Sequence, residues 1–272
     1  MPVTIDADAL RRMYLDEALT TQETATRLGC GASTVRRRLH RFGIPVRGRG
    51  PNTGPRIGSS AWSRETAWVV GLIATDGNLA KTGGGITITS KDVDLLECAR
   101  RCLAISNRVG WSSGGFGSGT YRLQWRSRVF YDWLVSLGLT PRKSLTIGPL
   151  AVPDAYFPDF FRGCIDGDGT VLVYTDRYHA TQKASYVYTR LYVSLVSASR
   201  PFVDWMRATI YRLLTLAGGI HVKWTRGRRP VWILRYSKKA SVRLLRWMYP
   251  SPDVPGLARK RAKAEPFILS GK

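Results

Sequence analysis

The chain has 272 residues, of which 44% are hydrophobic and 11% aromatic, so it can bury an extensive core and is neither disordered nor fibrous. Its 42 Lys and Arg residues against 19 Asp and Glu give a formal net charge of +23. This charge favours a polyanionic partner, with nucleic acid first and an anionic membrane second. No apolar run is long enough for a transmembrane helix, so we expect no membrane insertion and an intracellular location, cytoplasmic or nucleoid-associated.

Three short helices are predicted in an N-terminal domain, residues 1–46. Apolar residues at helical spacing predict the first over residues 5–17, and the second begins after Thr20 or Thr21. A turn, Gly29-Cys30-Gly31, ends the second helix, and a basic third helix runs from about Ser33 to Gly43. A short helix, a glycine turn and a basic helix predict a helix-turn-helix, whose second helix enters the DNA major groove.

The third helix carries the candidate DNA contacts of this domain. Seven arginines and no acid lie between residues 32 and 56, which is costly unless phosphates neutralise them; the alternative is a solvated basic face on a small helical domain. The segment is similar to resolvase and homeodomain-like helix-turn-helix families, which commonly end in a run like residues 43–47. The candidates for base or phosphate contact are Ser33, Thr34, Arg36, Arg37, Arg38 and Arg41.

A linker is predicted at residues 47–60, because Gly, Pro and Arg dominate there and no apolar periodicity is present. Arg47 and Arg49 are typical of arms that lie in a narrow, electronegative minor groove. A plain flexible tether explains the composition equally well.

One pattern, Gly-x-Ile-x-x-Asp-Gly, occurs twice, at residues 71–77 and 163–169. Each copy ends an apolar helix pattern, with the Asp in the last turn and the final Gly expected as a left-handed cap. A carboxylate is unfavourable at that end of the helix dipole, so its repetition indicates a role other than stability, whereas one copy alone would suit an ordinary Asp-Gly turn.

The pattern also predicts how the two acids meet. Gly71 and Gly163 lack a Cβ atom, so the two helices can pack closely and bring Asp76 and Asp168 together. Converging carboxylates repel each other unless a cation lies between them, and hard divalent ions prefer oxygen ligands. We therefore expect Asp76 and Asp168 to bind Mg²⁺ or Mn²⁺.

Two repeats follow the linker, residues 61–150 and 151–272, and they predict an α+β fold. In the second, helices at 154–165, 201–216 and 239–248 alternate with strand pairs at 169–175 and 186–196, and at 221–225 and 231–236. The first has helices at 63–75, 91–103 and 129–137, a strand at 85–90, and a hairpin of 108–111 with 121–126.

Basic strands in both repeats predict a nucleic-acid surface. Nine Lys or Arg and no acid lie between Gly219 and Trp247, interleaved with aromatic residues, although a solvated basic edge that resists aggregation is the alternative. Strands alternate faces, so one side can pack on helices while the other meets DNA. The candidate contacts are Arg122, Gln124, Arg126, Lys223, Arg226, Arg228, Arg229 and Arg235.

The paired motif resembles that of the LAGLIDADG homing endonucleases, in the single-chain form with two copies. The first copy departs from the family at Ala74, where the second has the acid Asp166. The resemblance implies two pseudo-symmetric αββαββα repeats that form a saddle-shaped antiparallel sheet on DNA. It makes Asp76 and Asp168 the metal-binding, catalytic acids, with backbone groups of Ala74 or Thr75 and of Gly167 as further ligands.

The resemblance implies further site residues and an activity. Lys143 and Lys260 match the place of active-site lysines, which stabilise charge on the scissile phosphate or polarise water, and Ser90 and Ser197 match water-organising positions. The implied function is metal-dependent, sequence-specific cleavage of double-stranded DNA at a long target by a monomer. The alternatives are a non-cleaving DNA-binding regulator and an RNA-binding intron maturase on the same scaffold.

Overall fold

The structure, a computed structural model, describes residues 5–17, 19–46, 61–112, 119–178, 187–225, 227 and 229–269. The predicted linker, with Arg47 and Arg49, and the turn residues Arg226 and Arg228 lie outside these ranges. The chain forms two compact units, Met1–Asn52 and Thr53–Lys272. None of the helices within the described ranges has both the length and the apolar character needed to cross a membrane.

The N-terminal unit is the predicted helix-turn-helix. Its helices are α1 (Ala7–Arg11), which a π-helical turn extends to Asp16, α2 (Thr21–Arg27) and α3 (Ala32–Arg41). Thr20 and Glu23 form a capping box at the start of α2, and Gly29 takes a positive φ in the turn that follows. A separate small core, which includes Leu10, Ala25 and Leu39, holds the three helices together.

The second unit contains the same order of elements twice, which confirms the predicted repeat. The first series is α4 (Arg64–Thr75), β1 (Gly77–Leu79), β2 (Gly85–Ser90), α5 (Val93–Cys102), β3 (Val109–Ser112), β4 (Thr120–Arg126) and α6 (Arg128–Ser136). The second series is α7 (Phe157–Asp166), β5 (Gly169–Asp176), β6 (Tyr188–Ser197), α8 (Arg200–Leu214), β7 (Gly219–Trp224), β8 (Pro230–Tyr236) and α9 (Lys238–Met248), followed by α10 (Ala258–Leu269). Strand β1 was not predicted, because three residues are too few to show an alternating pattern.

Each series builds one four-stranded antiparallel sheet, in the orders β1-β2-β4-β3 and β5-β6-β8-β7. The inner face of each sheet is apolar, as shown by the buried Leu123 and Trp125 in β4 and by Leu191 and Val193 in β6. Both inner faces join one core cluster that contains α4 and α7. The outer faces remain available for another molecule.

Candidate active site and nucleic-acid interface

The two motif helices, α4 and α7, pack with their backbones in contact. A Cβ atom added to Gly71 would lie 2.1 Å from the carbonyl oxygen of Phe160, and one added to Gly163 would lie 2.0 Å from that of Trp68. Such separations exclude any side chain at either position. The predicted close approach is confirmed, and it brings the C-terminal ends of the two helices together.

The glycines that follow the motif acids have a different role from the one predicted. Gly77 and Gly169 do not take the positive φ of a left-handed cap, so that prediction was wrong. A Cβ atom at Gly77 would lie 2.5 Å from the Cα atom of Ile73, and one at Gly169 would lie 2.4 Å from that of Ile165. Both glycines are required because the chain folds back over the last turn of its own helix to enter β1 or β5.

Asp76 and Asp168 are placed as a neighbouring pair at these helix ends. Asp76 directly follows α4 and is half-buried, whereas Asp168 lies two residues beyond α7 and is more exposed. Gly167 allows the two helix ends to approach, since a Cβ atom there would meet Thr75 Oγ1 at 2.1 Å and Asp76 Oδ2 at 3.2 Å. In the described part of the chain, neither carboxylate accepts a hydrogen bond.

Burial dominates the electrostatics of the two acids. Burial raises the pKa of Asp76 to about 7, and repulsion by Asp168 adds to the rise, while Lys260 and Lys143 oppose it. Loss of water raises the pKa of Asp168 as well, again against the two lysines. A bound cation would favour the ionised form of both acids.

The donor set suits a hard divalent ion that keeps part of its water shell. Two carboxylates supply only part of an octahedral shell, so water or phosphate oxygens would complete it, as is usual for Mg²⁺. Among the described residues no group of three or more His, Cys, Asp or Glu side chains could hold a metal alone. The carbonyl of Gly167 already accepts from Lys260 Nζ at 3.2 Å, and the roles of Ala74 and Thr75 stay predictions.

Lys143 and Lys260 occupy equivalent positions beside the pair. The Nζ atom of Lys143 donates to the carbonyl of Gly77, and that of Lys260 donates to the carbonyl of Gly169 at 2.8 Å, so each lysine binds the residue that follows a motif acid. Burial lowers the pKa of Lys143 to about 8, while Asp168 and Asp76 oppose the change. Their predicted catalytic role stays a prediction, and in the structure both lysines bind the backbone beside the acids.

Lys260 also caps the end of α7. Its Nζ atom donates to the carbonyls of Ile165 and Asp166 at 2.6 and 2.8 Å. The C-terminal end of a helix carries partial negative charge, which repels a neighbouring carboxylate. A positive charge at this end offsets that repulsion. The lysine therefore helps the chain to tolerate Asp168 there.

Asp166, the acid that has no counterpart in the first motif, is a buried structural group. Its Oδ2 atom accepts from Trp68 Nε1 at 2.8 Å and from the backbone N–H of Leu257 at 3.1 Å. Burial raises its pKa to about 6, against the hydrogen bond from Trp68. It joins the two repeats and does not face Asp76 and Asp168 as a third ligand.

A buried ion pair on α7 was missed by sequence analysis. Arg162 is fully buried and donates to Asp159 at 2.5 Å, to the carbonyl of Pro255 at 2.7 Å and to that of Met248. The sequence signal for this pair is an acid and an arginine three residues apart in a largely apolar helix pattern.

Ser90 and Ser197 lie at equivalent strand-to-helix junctions. The Oγ atom of Ser90 accepts from the backbone N–H of Asp92 at 3.1 Å, and that of Ser197 accepts from the N–H of Ser199 at 3.1 Å. These are local turn contacts, and the water-organising role of both serines stays a prediction.

The predicted strand contacts lie on the outer faces of the sheets. Arg122, Gln124 and Arg126 are exposed and alternate with buried residues of β4, and Arg122 donates to Ser112 Oγ at 3.1 Å. In the second sheet, Lys223 and Arg235 share the outer face, and Arg229 is exposed at the turn. Both faces therefore present cations to solvent.

The candidate residues on α3 lie opposite or beside its buried Val35 and Leu39. Ser33, Arg37 and Arg41 are exposed, whereas Thr34, Arg36 and Arg38 are half-buried. Several of them border an open depression of about 550 Å³ against the glycine turn, namely Thr34, Arg37, Arg38 and Arg41. Their contacts with DNA stay predictions.

No protein-family model matches the chain, and a search of curated proteins found no match. Among solved structures, the chain is similar to the homing endonuclease I-WcaI bound to its DNA recognition sequence, with 14% identity and a TM-score of 0.51 over 80% of this chain and 95% of that one. The LAGLIDADG meganuclease I-AabMI bound to uncleaved DNA has 15% identity and a TM-score of 0.48, over 74% and 87% of the two chains. Full-length DUF199/WhiA from Thermatoga maritima has 15% identity and a TM-score of 0.46, and this chain covers 64% of it with 79% of its own length.

The likeness to I-WcaI shows the fold, which is that of the LAGLIDADG homing endonucleases. At 14% identity it carries no activity across, because one fold supports different functions. The argument for function therefore depends on the site itself.

Proposed function

We propose that this chain is a sequence-specific endonuclease that hydrolyses both strands of a long DNA target, in the manner of a homing endonuclease. The observation that carries the proposal is the pair of unbonded carboxylates, Asp76 and Asp168, at the ends of two glycine-packed helices. Each acid lies at the end of a helix where a carboxylate is unfavourable, so folding stability does not explain the pair. A metal-dependent reaction does explain it.

Asp76 and Asp168 would hold the divalent cation, Mg²⁺ or Mn²⁺. When bound, such an ion supplies an activated water and stabilises the leaving oxygen of a phosphodiester. Lys143 and Lys260 fix the backbone beside each acid and place positive charge next to the site where a phosphate would lie. The buried helices beneath the pair keep water from the side opposite the substrate.

The partner in this proposal is double-stranded DNA. A net charge of +23 gives strong attraction to phosphates, and the outer faces of both sheets carry exposed cations at alternate strand positions. The helix-turn-helix would add contacts to the same target, which raises affinity through tethering. The internal repeat supplies both halves of the site, so the enzyme acts as a monomer.

The test begins with selection of a bound sequence from a randomised duplex library. The selected DNA is then incubated with Mg²⁺ and with the wild type, Asp76→Asn, Asp168→Asn or Asp132→Asn; the last variant is a control that removes an acid from the exposed face of α6. We expect the wild type and Asp132→Asn to cut both strands, and the two motif variants to bind without cutting.

Two outcomes would contradict the proposal. Tight binding of one DNA sequence without cleavage, under any divalent metal, would favour a non-cleaving regulator. Tighter binding to a structured RNA than to any selected duplex would favour a maturase.

A further inference from the structure

The outer faces of the two sheets differ in chemistry. In the first sheet, the outer face presents polar side chains, a set that we call the polar face: Asn78, Thr87, Thr89, Arg122, Gln124 and Arg126. In the second sheet, the corresponding surface presents aromatic and aliphatic side chains, which we call the tyrosine face: Leu172, Tyr174, Tyr188, Tyr192 and Ile233. Among the described outer-face residues of the first sheet, none is aromatic or a large aliphatic.

The register of the strands shows that the tyrosine face is continuous. Leu172 pairs with Tyr192, and the next outer residue of β5, Tyr174, pairs with Arg190. The rings of Tyr174 and Tyr192 are stacked, with centroids 6.4 Å apart. Three adjacent strands, β5, β6 and β8, therefore share one surface, on which these aromatic and aliphatic side chains lie beside an ion pair of Arg190 with Asp176 at 2.9 Å.

Three side chains of the tyrosine face are exposed although they are aromatic or aliphatic. Leu172, Tyr174 and Tyr188 are 42%, 44% and 48% exposed. The free face of an antiparallel sheet is normally polar, and a contiguous apolar patch indicates an interaction site. The outer face of the second sheet therefore suits an occupant that carries apolar groups.

Charge indicates which occupant fits. The guanidinium of Arg235 lies 5.5 Å from the centroid of the Tyr192 ring, and Lys223 is exposed on the same side of the sheet. Cations at the margin of an apolar surface suit a polyanion that also carries apolar groups. In duplex DNA, those groups are the C5-methyl groups of thymine, which project into the major groove.

Single-stranded nucleic acid fits this surface less well. Base stacking requires open aromatic faces, whereas the Tyr192 ring already stacks with Tyr174 and lies beside Arg235. The phenol oxygens at the ring edges can still donate to base or phosphate acceptors. The arrangement suits contact with the edges of paired bases.

We propose that the tyrosine face recognises thymine methyl groups, so that one half of the DNA target is rich in A·T pairs. The polar face reads the other half mainly through hydrogen bonds from Arg122, Gln124 and Arg126 to base edges. This proposal rests on the proposed function, since it requires that both sheets lie on one duplex. It adds an asymmetry to the target that the internal repeat alone does not predict.

Uracil tests the proposal, because it differs from thymine in DNA only by the missing methyl group. The full chain is used to select a target from a random duplex library, and thymines are then replaced by uracil in one half-site at a time. Dissociation constants come from fluorescence anisotropy, without divalent metal so that the DNA stays intact. We expect binding to weaken about fourfold for each contacted methyl removed, in one half-site only.

Two variants assign the effect to a sheet. Leu172→Asn removes an exposed aliphatic side chain from the tyrosine face. At the thymine that Leu172 contacts, this variant should bind thymine and uracil targets with equal affinity. Thr87→Ser removes one methyl group from the polar face. It should distinguish thymine from uracil as the wild type does, in the half-site that contacts the tyrosine face. Both changes lie on outer faces, outside the shared core.

Several results would overturn the proposal. They are a selected target without thymine in either half, equal uracil effects in the two halves, discrimination retained at every thymine in Leu172→Asn, or single-stranded DNA bound as tightly as duplex. If a defined duplex is still selected and cut in Mg²⁺, the proposed endonuclease function stands while this inference fails. If no duplex is selected, both fail.

Discussion

The two motif helices make the same contact with different buried chemistry. When Gly71 is aligned with Gly163, the first helix presents small or apolar residues and the second presents ionisable ones at three equivalent positions, namely Ala67, Val70 and Ala74 against Asp159, Arg162 and Asp166. All six are buried. The glycines and the motif acids are thus the shared part of the repeat, and the interior polar groups belong to one half.

The difference shows how each half places its lysine. In the second half, Arg162 and Asp166 bind the backbone of residues 248–257, which leads directly into α10 and Lys260. In the first half a short 3₁₀ turn at Lys143–Leu145 carries the lysine, after Arg142, whose φ is 60°. Two different supports therefore deliver the same contact to the glycine that follows each motif acid.

The largest expected effect comes from breaking the buried ion pair of the second helix. Arg162→Val, which introduces the residue of the first helix, leaves Asp159 buried without its partner and should lower the free energy of unfolding by about 3–5 kcal/mol. Adding Asp159→Ala should restore about 1 kcal/mol or more. Urea unfolding followed by circular dichroism measures both. A double variant less stable than the single one would contradict this account.

The glycine contact should respond equally in both halves. Gly71→Ala and Gly163→Ala each place a Cβ atom against a backbone carbonyl and should cost about 3 kcal/mol, because neither backbone can move without separating the helices. Gly148→Ala is the matched control, since its Cβ atom would meet nothing within 4 Å. Thermal unfolding of the three variants compares them, and a neutral change at either motif glycine would refute the shared contact.

A smaller effect is expected at the acid that the first helix lacks. Asp166→Ala leaves Trp68 Nε1 and the N–H of Leu257 without an acceptor, so it should cost about 1–3 kcal/mol. Asp166→Asn keeps an acceptor oxygen and should cost less. Chemical unfolding distinguishes them, and equal losses for the two variants would show that the hydrogen bonds contribute nothing.

The smallest expected effect is at an ion pair between the repeats. Arg259 donates two hydrogen bonds to Asp92, at 2.9 and 2.8 Å, whereas its counterpart Arg142 makes none within the described residues. Both partners are partly exposed, so Arg259→Gln should cost less than about 1 kcal/mol, and the loss should shrink in high salt. Arg142→Gln should leave stability unchanged. A salt-independent loss would contradict the exposed-pair interpretation.

Features that depend on local spacing could be predicted from the sequence. The helix-turn-helix, the repeat of elements and the close contact at Gly71 and Gly163 follow from periodicity and from a pattern that occurs twice. The contacts of the lysines could not be predicted, because Lys143 binds a residue 66 positions away and Lys260 one 91 positions away. Without an observed fold, such separations give no local signal.

Two other features depended on three-dimensional information. The positive φ expected at Gly77 and Gly169 was wrong, since the glycines there serve close packing of the chain on its own helix. The tyrosine face requires the register of β5, β6 and β8, and alternation within one strand does not reveal which residues of its neighbours share a side. Charge alone therefore identified the basic outer-face residues and missed the apolar ones.

The most direct test of the account is Mn²⁺ binding to the complex with selected DNA, measured by electron paramagnetic resonance after subtraction of the signal from DNA alone. The wild type and Asp166→Asn should bind the ion, because Asp166 supports the fold and takes no part in the paired site. Asp76→Asn and Asp168→Asn should each lose it. If either of these two variants binds Mn²⁺ as the wild type does, the paired carboxylates do not form the metal site, and the proposed reaction has no catalytic centre.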